Sequence, residues 1–374
     1  MDRQAEIAML QGGLCVNIDQ DTIAVRSGEA FDPHVVEDYL RAQIAEVRAQ
    51  SEGSLEVRQF PSGASNLTYL LKVGTWEGVL RRPPLGPVPP KAHDMGRESG
   101  LLRQIHPVFP LAPEPYCFCD DPAILGVPFY VMERRQGIVL DSALPSGIEG
   151  TEELGRRLSR AVVETLVDIH AIDWQQAGLE HFGYPLGFLE RQVKSWIERY
   201  QRAQTDEIPE VEPLLRWLST HIPTSSTASL IHNDFKLNNM LFAEDDPARP
   251  VAVLDWEMAT LGDPLFDLAI SLSYWVRPSD PPELHSILPT VTVLPGFYER
   301  NEFLELYARK SGRDLSDMHF YMTFAYFKLA IILQQIYVRW KRGQTQDARF
   351  AGFGKRVYTL IQHAYAVSQQ GQLT

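Results

Sequence analysis

The chain has 374 residues, of which 44% are hydrophobic and 22% are charged, and this balance excludes a disordered or fibrous protein. Its length predicts two or three domains or lobes that can bury a hydrophobic core without disulfides or metals. The formal net charge of −13 argues against a general nucleic-acid or anionic-membrane partner, although it leaves room for a local basic pocket.

The sequence shows no targeting or membrane-spanning signal. Its first residues lack the basic segment followed by an apolar one that marks a secretory signal. The longest apolar stretch, 320–340, is interrupted by Lys328 and Arg339; since charges inside a bilayer are costly, we expect a buried helix and no membrane partner. The three cysteines fit a reducing compartment, so we expect a cytoplasmic protein.

The first part of the chain is predicted to alternate between a helix and short strands. Residues 1–30 show no periodicity, and we expect a loosely ordered arm there. Asp32 followed by Pro33 is typical of a helix start, and the apolar spacing predicts a helix over 33–50. Three short strands joined by turns are predicted within 55–82.

The next segment closes the predicted sheet. Its prolines exclude regular structure over 83–90, because proline removes a backbone donor and restricts the preceding residue. A helix is predicted from Asp94 to Ile105, followed by strands over 111–118 and 127–133.

From residue 137 the composition becomes helical. The apolar spacing predicts helices over 151–171, 187–203, 210–221, 264–276, 300–311, 316–342 and 350–370. Two short apolar runs, 229–232 and 251–256, look like strands that flank a turn. The pattern as a whole predicts an α+β protein with a sheet-rich N-terminal lobe and a larger helical C-terminal lobe.

One group of polar residues has a spacing that suggests phosphoryl transfer. Residues 232–239 have the spacing H-x-D-x-x-x-x-N, and Asp255 follows at the end of an apolar run. Phosphoryl transfer from ATP needs one carboxylate for the attacking hydroxyl, and a carboxylate and an amide oxygen for magnesium. Asp234, Asp255 and Asn239 supply this set. An Asp-x-x-x-x-Asn pair alone is usually a capping or turn pair, but chance explains the ordered set poorly.

Several stretches around this motif resemble one known family. They are SGASNLTYLL (62–71), VLRRPPLGPVPPKAHDMGRE (79–98), FYVMERRQG (129–137), LVDIHAIDW (166–174), IHNDFKLNNMLF (231–242) and VAVLDWEMATLGDPLFDLA (251–269). In this order they resemble the aminoglycoside phosphotransferase-like (APH) superfamily, relatives of the eukaryotic-type protein kinases. Within it, the chain is most similar to the branch containing the N-terminal domain of acyl-CoA dehydrogenase family 10/11 proteins.

The resemblance implies a bilobal protein-kinase-like fold with an antiparallel sheet in its N-terminal lobe. On this basis we expect an N-terminal arm and helix over 1–50 and a nucleotide-binding lobe over 51–136. The catalytic loop and the acceptor site are then expected within 137–374.

The resemblance also implies roles for the motif residues. Asp234 matches the catalytic aspartate, and Asn239 and Asp255 match the magnesium ligands. His232 matches a packing residue beside the catalytic aspartate. Asp267 matches a residue that braces the catalytic loop, although compensation of a helix N-terminus explains it equally well.

The expected phosphate loop is formed by small polar residues between two predicted strands. Its cofactor-binding residues are Ser62, Gly63, Ser65 and Asn66. Small residues let backbone N–H groups approach phosphate oxygens. The segment lacks the G-x-G-x-x-G pattern, and a plain hairpin turn explains it equally well.

The remaining nucleotide-binding residues are also assigned by resemblance. Arg81 matches the position of the kinase lysine, but strand alternation says only that Arg81 or Arg82, not both, faces the nucleotide. Glu98 matches the helix glutamate that pairs with this cation, unless it is a solvated surface charge. Glu133 and Arg135 match the hinge segment that contacts adenine through its main chain.

The expected function is transfer of the γ-phosphate of MgATP to a hydroxyl of a small molecule. The branch resemblance favours a hydroxyacyl-CoA or a related metabolite. An aminoglycoside kinase, a non-catalytic nucleotide-binding pseudokinase and a phosphoanhydride hydrolase are the alternatives. The sequence fixes neither the acceptor nor the oligomeric state.

Overall fold

The computed structural model describes residues 21–61, 66–86, 93–224, 227–345 and 347–370. The chain divides into two compact units. The first unit contains residues 1–149, 177–179 and 238–257, and the second unit contains 150–176, 180–237 and 258–374. The domain boundaries expected from the sequence stay a prediction.

The first unit is built on a five-stranded antiparallel sheet. Its strands are β1 (Glu56–Gln59), β2 (Leu67–Val73), β3 (Trp76–Arg82), β4 (Pro115–Cys119) and β5 (Phe129–Glu133), in the order β1-β2-β3-β5-β4. Strands β2 and β3 form a hairpin that pairs Val73 with Trp76. Gly74, with a φ of +59°, supplies the left-handed turn residue that such a short connection requires. The strands predicted from the sequence are confirmed.

Helices pack on both faces of this sheet: three share a core with Tyr69 and Val131, and the one that carries Glu98 lies on the opposite face, with Arg81. They are α1 (Pro33–Gln43), α2 (Ala45–Arg48), α3 (Met95–Ile105) and α4 (Pro122–Leu125). The helix predicted over 33–50 is interrupted at Ile44, whose backbone is extended. Asp32 and Asp94 cap α1 and α3 by accepting backbone N–H hydrogen bonds, which is why these two helix starts were readable from the sequence.

The described part of the predicted N-terminal arm is bound to the sheet. Ile23 and Gln59 exchange backbone hydrogen bonds of 2.8 and 2.9 Å. The hydroxyl of Tyr69 donates to the carbonyl of Glu29 over 2.7 Å. The expectation of a loose arm is therefore wrong for residues 21–30, and its remaining part, 1–20, lies outside the described residues.

A second, three-stranded sheet completes the first unit. It consists of β6 (Ile138–Val139), β8 (Met240–Phe242) and β9 (Pro250–Val253), in the order β6-β8-β9. Just after β9, the ring of Trp256 packs edge-on against Phe109 with 5.9 Å between centroids. This contact anchors the segment that carries Asp255.

The second unit is mostly helical. Its helices are α5 (Glu152–Ala171), α6 (Phe188–Ala203), α7 (Val211–Thr220), α8 (Pro264–Ser273), α9 (Pro282–Ile287), α10 (Arg300–Ser311), α11 (Met318–Lys341) and α12 (Phe353–Gln370). A two-stranded sheet joins β7 (Ser229–Ile231) to β10 (Thr260–Gly262). Across the described ranges, no helix is long and apolar enough to cross a membrane.

The pairing of the two short apolar runs differs from the prediction. The runs 229–232 and 251–256 become β7 and β9, but β7 pairs with β10 and β9 pairs with β8. They do not flank a common turn. Runs this short have no periodicity that reveals a partner, so their pairing is decided by tertiary packing.

Candidate active site

The loop after β7 is held by a buried carboxylate. Asp267, on α8, is fully buried. Its Oδ2 accepts the backbone N–H of His232 and its Oδ1 accepts that of Asn233, both over 2.7 Å. His170 Nε2 lies 3.2 Å from the same Oδ2. These contacts favour the bracing role of Asp267 over simple compensation of the α8 dipole.

The charge of Asp267 is maintained despite its burial. Burial alone would raise its pKa, but the hydrogen bonds and charges of His170 and His232 lower the pKa below its ordinary value. The carboxylate therefore stays ionised and keeps both of its oxygens as acceptors for the loop.

Asp234 is the next residue of this loop, and it is paired with a lysine. Lys236 Nζ lies 3.1 Å from Asp234 Oδ1 and 2.9 Å from Oδ2. The same ammonium lies 4.9 Å from the ring centroid of Tyr274. Burial, with a contribution from Asp234, raises the pKa of Tyr274, so this phenol stays protonated at neutral pH.

In the first unit, the structure brings Asn239 and Asp255 to neighbouring strand ends. Met240, at the start of β8, pairs with Val253, at the end of β9. The N–H of Leu254 donates to the carbonyl of Asn239 over 2.8 Å. Asp255 adopts a left-handed backbone with a φ of +68°, which is unusual for a residue with a side chain. Amide and carboxylate oxygens are ligands that magnesium prefers.

Arg81 lies beside Asp255 and is almost completely buried, with 8% exposure. Its Nη1 donates to Glu98 Oε1 over 2.8 Å, and its Nη2 donates to Asp255 Oδ1 over 3.1 Å. Arg82 points away from this cluster and donates to the Tyr69 hydroxyl and the Glu29 carbonyl over 2.8 and 2.6 Å. The structure therefore associates Arg81, and not Arg82, with Asp255.

Glu98 is also buried, with 2% exposure, which excludes its interpretation as a solvated surface charge. Burial raises the pKa of Glu98 to about 7; Arg81 opposes this rise, while Asp255 and Glu257 add to it. Burial works against the charge of Arg81, but its acidic neighbours raise its pKa above the ordinary value. Arg81 is thus a permanent cation that faces the carboxyl groups of Glu98, Asp255 and Glu257.

Asn66 joins the same cluster through Glu257. Its Nδ2 donates to Glu257 Oε2 over 2.7 Å, and His93 Nδ1 lies 2.9 Å from its Oδ1. Glu257 Oε2 in turn lies 3.9 Å from Arg81 Nη2. The other predicted phosphate-loop residues, Ser62, Gly63 and Ser65, lie outside the described residues.

The predicted hinge residues are occupied by contacts within the first unit. Glu133 and Arg135 form an ion pair of 2.8 Å, and Arg135 also donates to the Pro110 carbonyl. The backbone N–H of Glu133 donates to the Glu114 carbonyl over 2.8 Å. Their side chains therefore serve the fold, and the N–H of Glu133 is already used.

Two residues that contact predicted site residues, one in each unit, were not predicted from the sequence. Lys236 and Glu257 each lie two residues after a predicted catalytic aspartate. Both stood inside the stretches that carry the family resemblance, so that position was an available signal. Their contacts with Asp234, Asn66 and Arg81 became evident only in the folded chain.

The donor set suits a hard cation. Asn239, Asp255 and Glu257 offer amide and carboxylate oxygens, which fit magnesium better than a softer metal. Within the described ranges, no group of three or more His, Cys, Asp or Glu side chains could hold a metal alone. Magnesium commonly keeps several waters and uses substrate phosphates as further ligands, so a site with few protein ligands still fits it.

Comparison with known proteins assigns the family. Residues 56–292 match the APH family model, described as the phosphotransferase enzyme family. The chain belongs to this family. The matched range includes Arg81, Asp234 and Asp255, and the match confirms the resemblance inferred from the sequence.

The similarity to individual relatives covers more of this APH-family chain than the family model does. Acyl-CoA dehydrogenase family member 11 of Rattus norvegicus is 36% identical over 89% of this chain. The match covers 42% of the rat protein, so the chain spans less than half the length of this relative.

Solved structures confirm the expected α+β, kinase-like fold. A Ralstonia eutropha protein, solved as a candidate aminoglycoside phosphotransferase, has a TM-score of 0.78 and 28% identity, and the match covers 92% of this chain and all of that one. The aminoglycoside phosphotransferase APH(4)-Ia, in a ternary complex with AMP-PNP and hygromycin B, has a TM-score of 0.57 and 18% identity. That match covers 88% of this chain and 99% of the other, and at this identity it shows the fold alone.

Proposed function

We propose that this APH-family chain is a kinase that transfers the γ-phosphate of MgATP to a hydroxyl of a small molecule. The observation that carries the proposal is the contact of the buried pair Arg81 and Glu98 with the partly exposed Asp255, with Asn239 at the neighbouring strand end. ATP is proposed as donor because a structural neighbour contains AMP-PNP.

Residues of the first unit are proposed to hold the phosphates. Asn239 and Asp255 would hold magnesium, which, when bound, offsets the negative charge of the phosphate groups. Arg81 supplies a permanent positive charge and a planar fork of donors for phosphate oxygens. Glu98 fixes the direction of that fork through its hydrogen bond of 2.8 Å.

Residues of the second unit are proposed to act on the acceptor. Asp234 orients the acceptor hydroxyl and takes its proton while the oxygen forms its bond to the γ-phosphorus. The bond from that phosphorus to the oxygen bridging to the β-phosphate breaks at the same step. Lys236, which contacts Asp234, is placed to balance the charge of the carboxylate or of a phosphate oxygen.

The acceptor is proposed to be a hydroxyacyl-CoA or a related small hydroxyl compound. This choice rests on similarity to acyl-CoA dehydrogenase family member 11, of which the chain spans less than half. An aminoglycoside acceptor is the second candidate, because the Ralstonia eutropha protein was solved as a candidate aminoglycoside phosphotransferase. We propose a cytoplasmic location, for which the low cysteine content is the support.

The test is turnover of MgATP with three acceptor panels: hydroxyacyl-CoA esters, aminoglycosides and small alcohols. We expect one panel to yield a phosphorylated product, and Asp234→Asn and Asp255→Asn to abolish it. Asp245→Asn is the matched control, because Asp245 is an exposed carboxylate that pairs with Arg249 at the surface.

Other outcomes would contradict the proposal in different ways. ATP loss that is independent of any acceptor would indicate a phosphoanhydride hydrolase. MgATP binding without a phosphorylated product from any panel, together with variants that leave ATP turnover unchanged, would indicate a non-catalytic nucleotide-binding protein. A thermal shift with MgATP separates this second outcome from a chain that binds no nucleotide.

A further inference from the structure

Lys328 is a buried lysine in the middle of α11. Its exposure is 5%, and its neighbours on the helix from Phe324 to Ile331 are otherwise buried apolar or aromatic residues. Taking an ammonium group out of water is costly, so an apolar residue would be the cheaper choice for packing alone. The position therefore suggests a role for the charged group.

The ammonium of Lys328 is directed at one residue of the loop that contains Asp234. Its Nζ donates to the backbone carbonyl of Asn233 over 3.2 Å and to Asn233 Oδ1 over 3.3 Å. It also lies over the rings of Trp196, on α6, and Phe266, on α8, at 5.6 and 5.2 Å from their centroids. Aromatic faces offset part of the cost of burying a cation.

Asn233 needs such support because its backbone is strained. Its φ is +71°, a left-handed conformation that residues with side chains rarely adopt. Asp267 holds its N–H, and its own Nδ2 donates to the Met258 carbonyl over 3.2 Å. Lys328 holds the opposite side, the carbonyl that belongs to the peptide bond joining Asn233 to Asp234.

We propose that Lys328 is a positioning residue that fixes the Asn233–Asp234 peptide and thereby the direction of the Asp234 carboxylate. The inference rests on the proposed function, since it assigns Lys328 to the reaction in which Asp234 takes the acceptor proton. A rotation of that peptide would swing the Cα–Cβ bond of Asp234. Small misplacements of a catalytic group can cost about a hundredfold in rate.

The first experiment compares Lys328→Met with wild type. Methionine has a similar length and no charge, so it keeps the packing against Trp196 and Phe266. We expect kcat to fall at least about tenfold with the KM for ATP unchanged, because the proposed phosphate-holding residues belong to the first unit. Lys341→Met is the control on the same helix, since Lys341 is exposed and paired with Asp206. It should keep wild-type rates.

A second variant tests whether a positive charge with donors is what matters. Lys328→Arg keeps both and should recover part of the rate lost in Lys328→Met, although the larger group must adapt to the site. The idea is overturned by a Lys328→Met protein that keeps kcat within about twofold of wild type. It is equally overturned by a loss of rate that Lys328→Arg shares fully while both variants retain the wild-type unfolding midpoint.

Amide hydrogen exchange gives a readout that needs no acceptor. The N–H groups of His232 and Asn233 are bound to Asp267. In Lys328→Met we expect them to exchange about tenfold faster, while those of the β2–β3 hairpin, which belongs to the first unit, stay at wild-type rates. If the wild-type protein phosphorylates no acceptor, the proposed function fails. The amide exchange rates of His232 and Asn233 still show whether Lys328 holds the Asn233–Asp234 peptide in place. Unchanged exchange in both variants would refute the role of Lys328 even in an active kinase.

Discussion

Arg81 and Asp255 are joined by a hydrogen bond of 3.1 Å between Nη2 and Oδ1, although 174 residues separate them in the sequence. The other arm of the same guanidinium reaches Glu98 over 2.8 Å. One rigid, planar side chain therefore sets the distance between a helix carboxylate and the proposed magnesium ligand. A point charge on a flexible stem could not hold both partners in this way.

The substitution Arg81→Lys should break one of the two contacts of the guanidinium, with Glu98 or with Asp255. A single ammonium can pair with Glu98 or with Asp255, and we expect the affinity for MgATP to fall about tenfold or more. Isothermal titration calorimetry with MgATP measures the change directly.

Arg82→Lys is the matched control for this prediction. Arg82 is the next residue of β3 and is also buried, but its contacts are the Tyr69 hydroxyl and the Glu29 carbonyl. We expect this variant to lose stability and to keep its MgATP affinity within about twofold. An equal loss of affinity in both variants would contradict the assignment of Arg81.

The sequence was sufficient for the features that depend on local chemistry. Side-chain caps at Asp32 and Asp94 made two helix starts predictable, and the spacing of Asp234, Asn239 and Asp255 identified the candidate site. These signals need only neighbours along the chain.

Features that depend on distant contacts were not predictable. Alternation along β3 separates Arg81 from Arg82 but does not say which face meets Asp255. Packing between elements far apart in sequence likewise determines three other features: the partner of the three-residue strand β7, the break at Ile44 and the contact between Lys328 and Asn233. No local propensity encodes such a choice.

Lys236 provides a prediction for the chemical step. Its ammonium contacts both oxygens of Asp234. No catalytic role was predicted for this lysine from the sequence. We expect Lys236→Met to lower kcat about a hundredfold, because it removes a charge placed beside the reacting groups. Steady-state kinetics with the active acceptor measure this. Lys310→Met, which removes an exposed lysine paired with Glu164, should leave kcat unchanged. A similar rate for both variants would remove Lys236 from the site.

The strained backbone of Asn233 predicts a difference between two substitutions. Asn233→Gly and Asn233→Ala both lose the hydrogen bonds of the side chain, but only glycine adopts a φ of +71° without steric cost. The glycine variant should therefore be more stable than the alanine variant by about 1 kcal/mol. Urea unfolding of the two proteins measures the difference. Equal stabilities would mean that the loop relaxes out of the left-handed conformation.

Lys328 gives the fold a specific dependence on pH. Burial lowers its pKa to about 8 from the ordinary 10.5; Arg199 and Lys236 act in the same direction, while Asp234 and Asp267 oppose them. The unfolded chain therefore binds this proton more tightly, so the stability associated with the group is present above pH 10.5 and is lost as the pH falls through about 8. Lys328→Met binds no proton there. The difference in free energy of unfolding, Lys328→Met minus wild type, should therefore increase by up to about 3 kcal/mol as the pH falls from above 10.5 to about 8. At lower pH the difference should stay constant. Urea unfolding of both proteins across this range tests it, and a difference that does not vary with pH would contradict the burial of a charged Lys328.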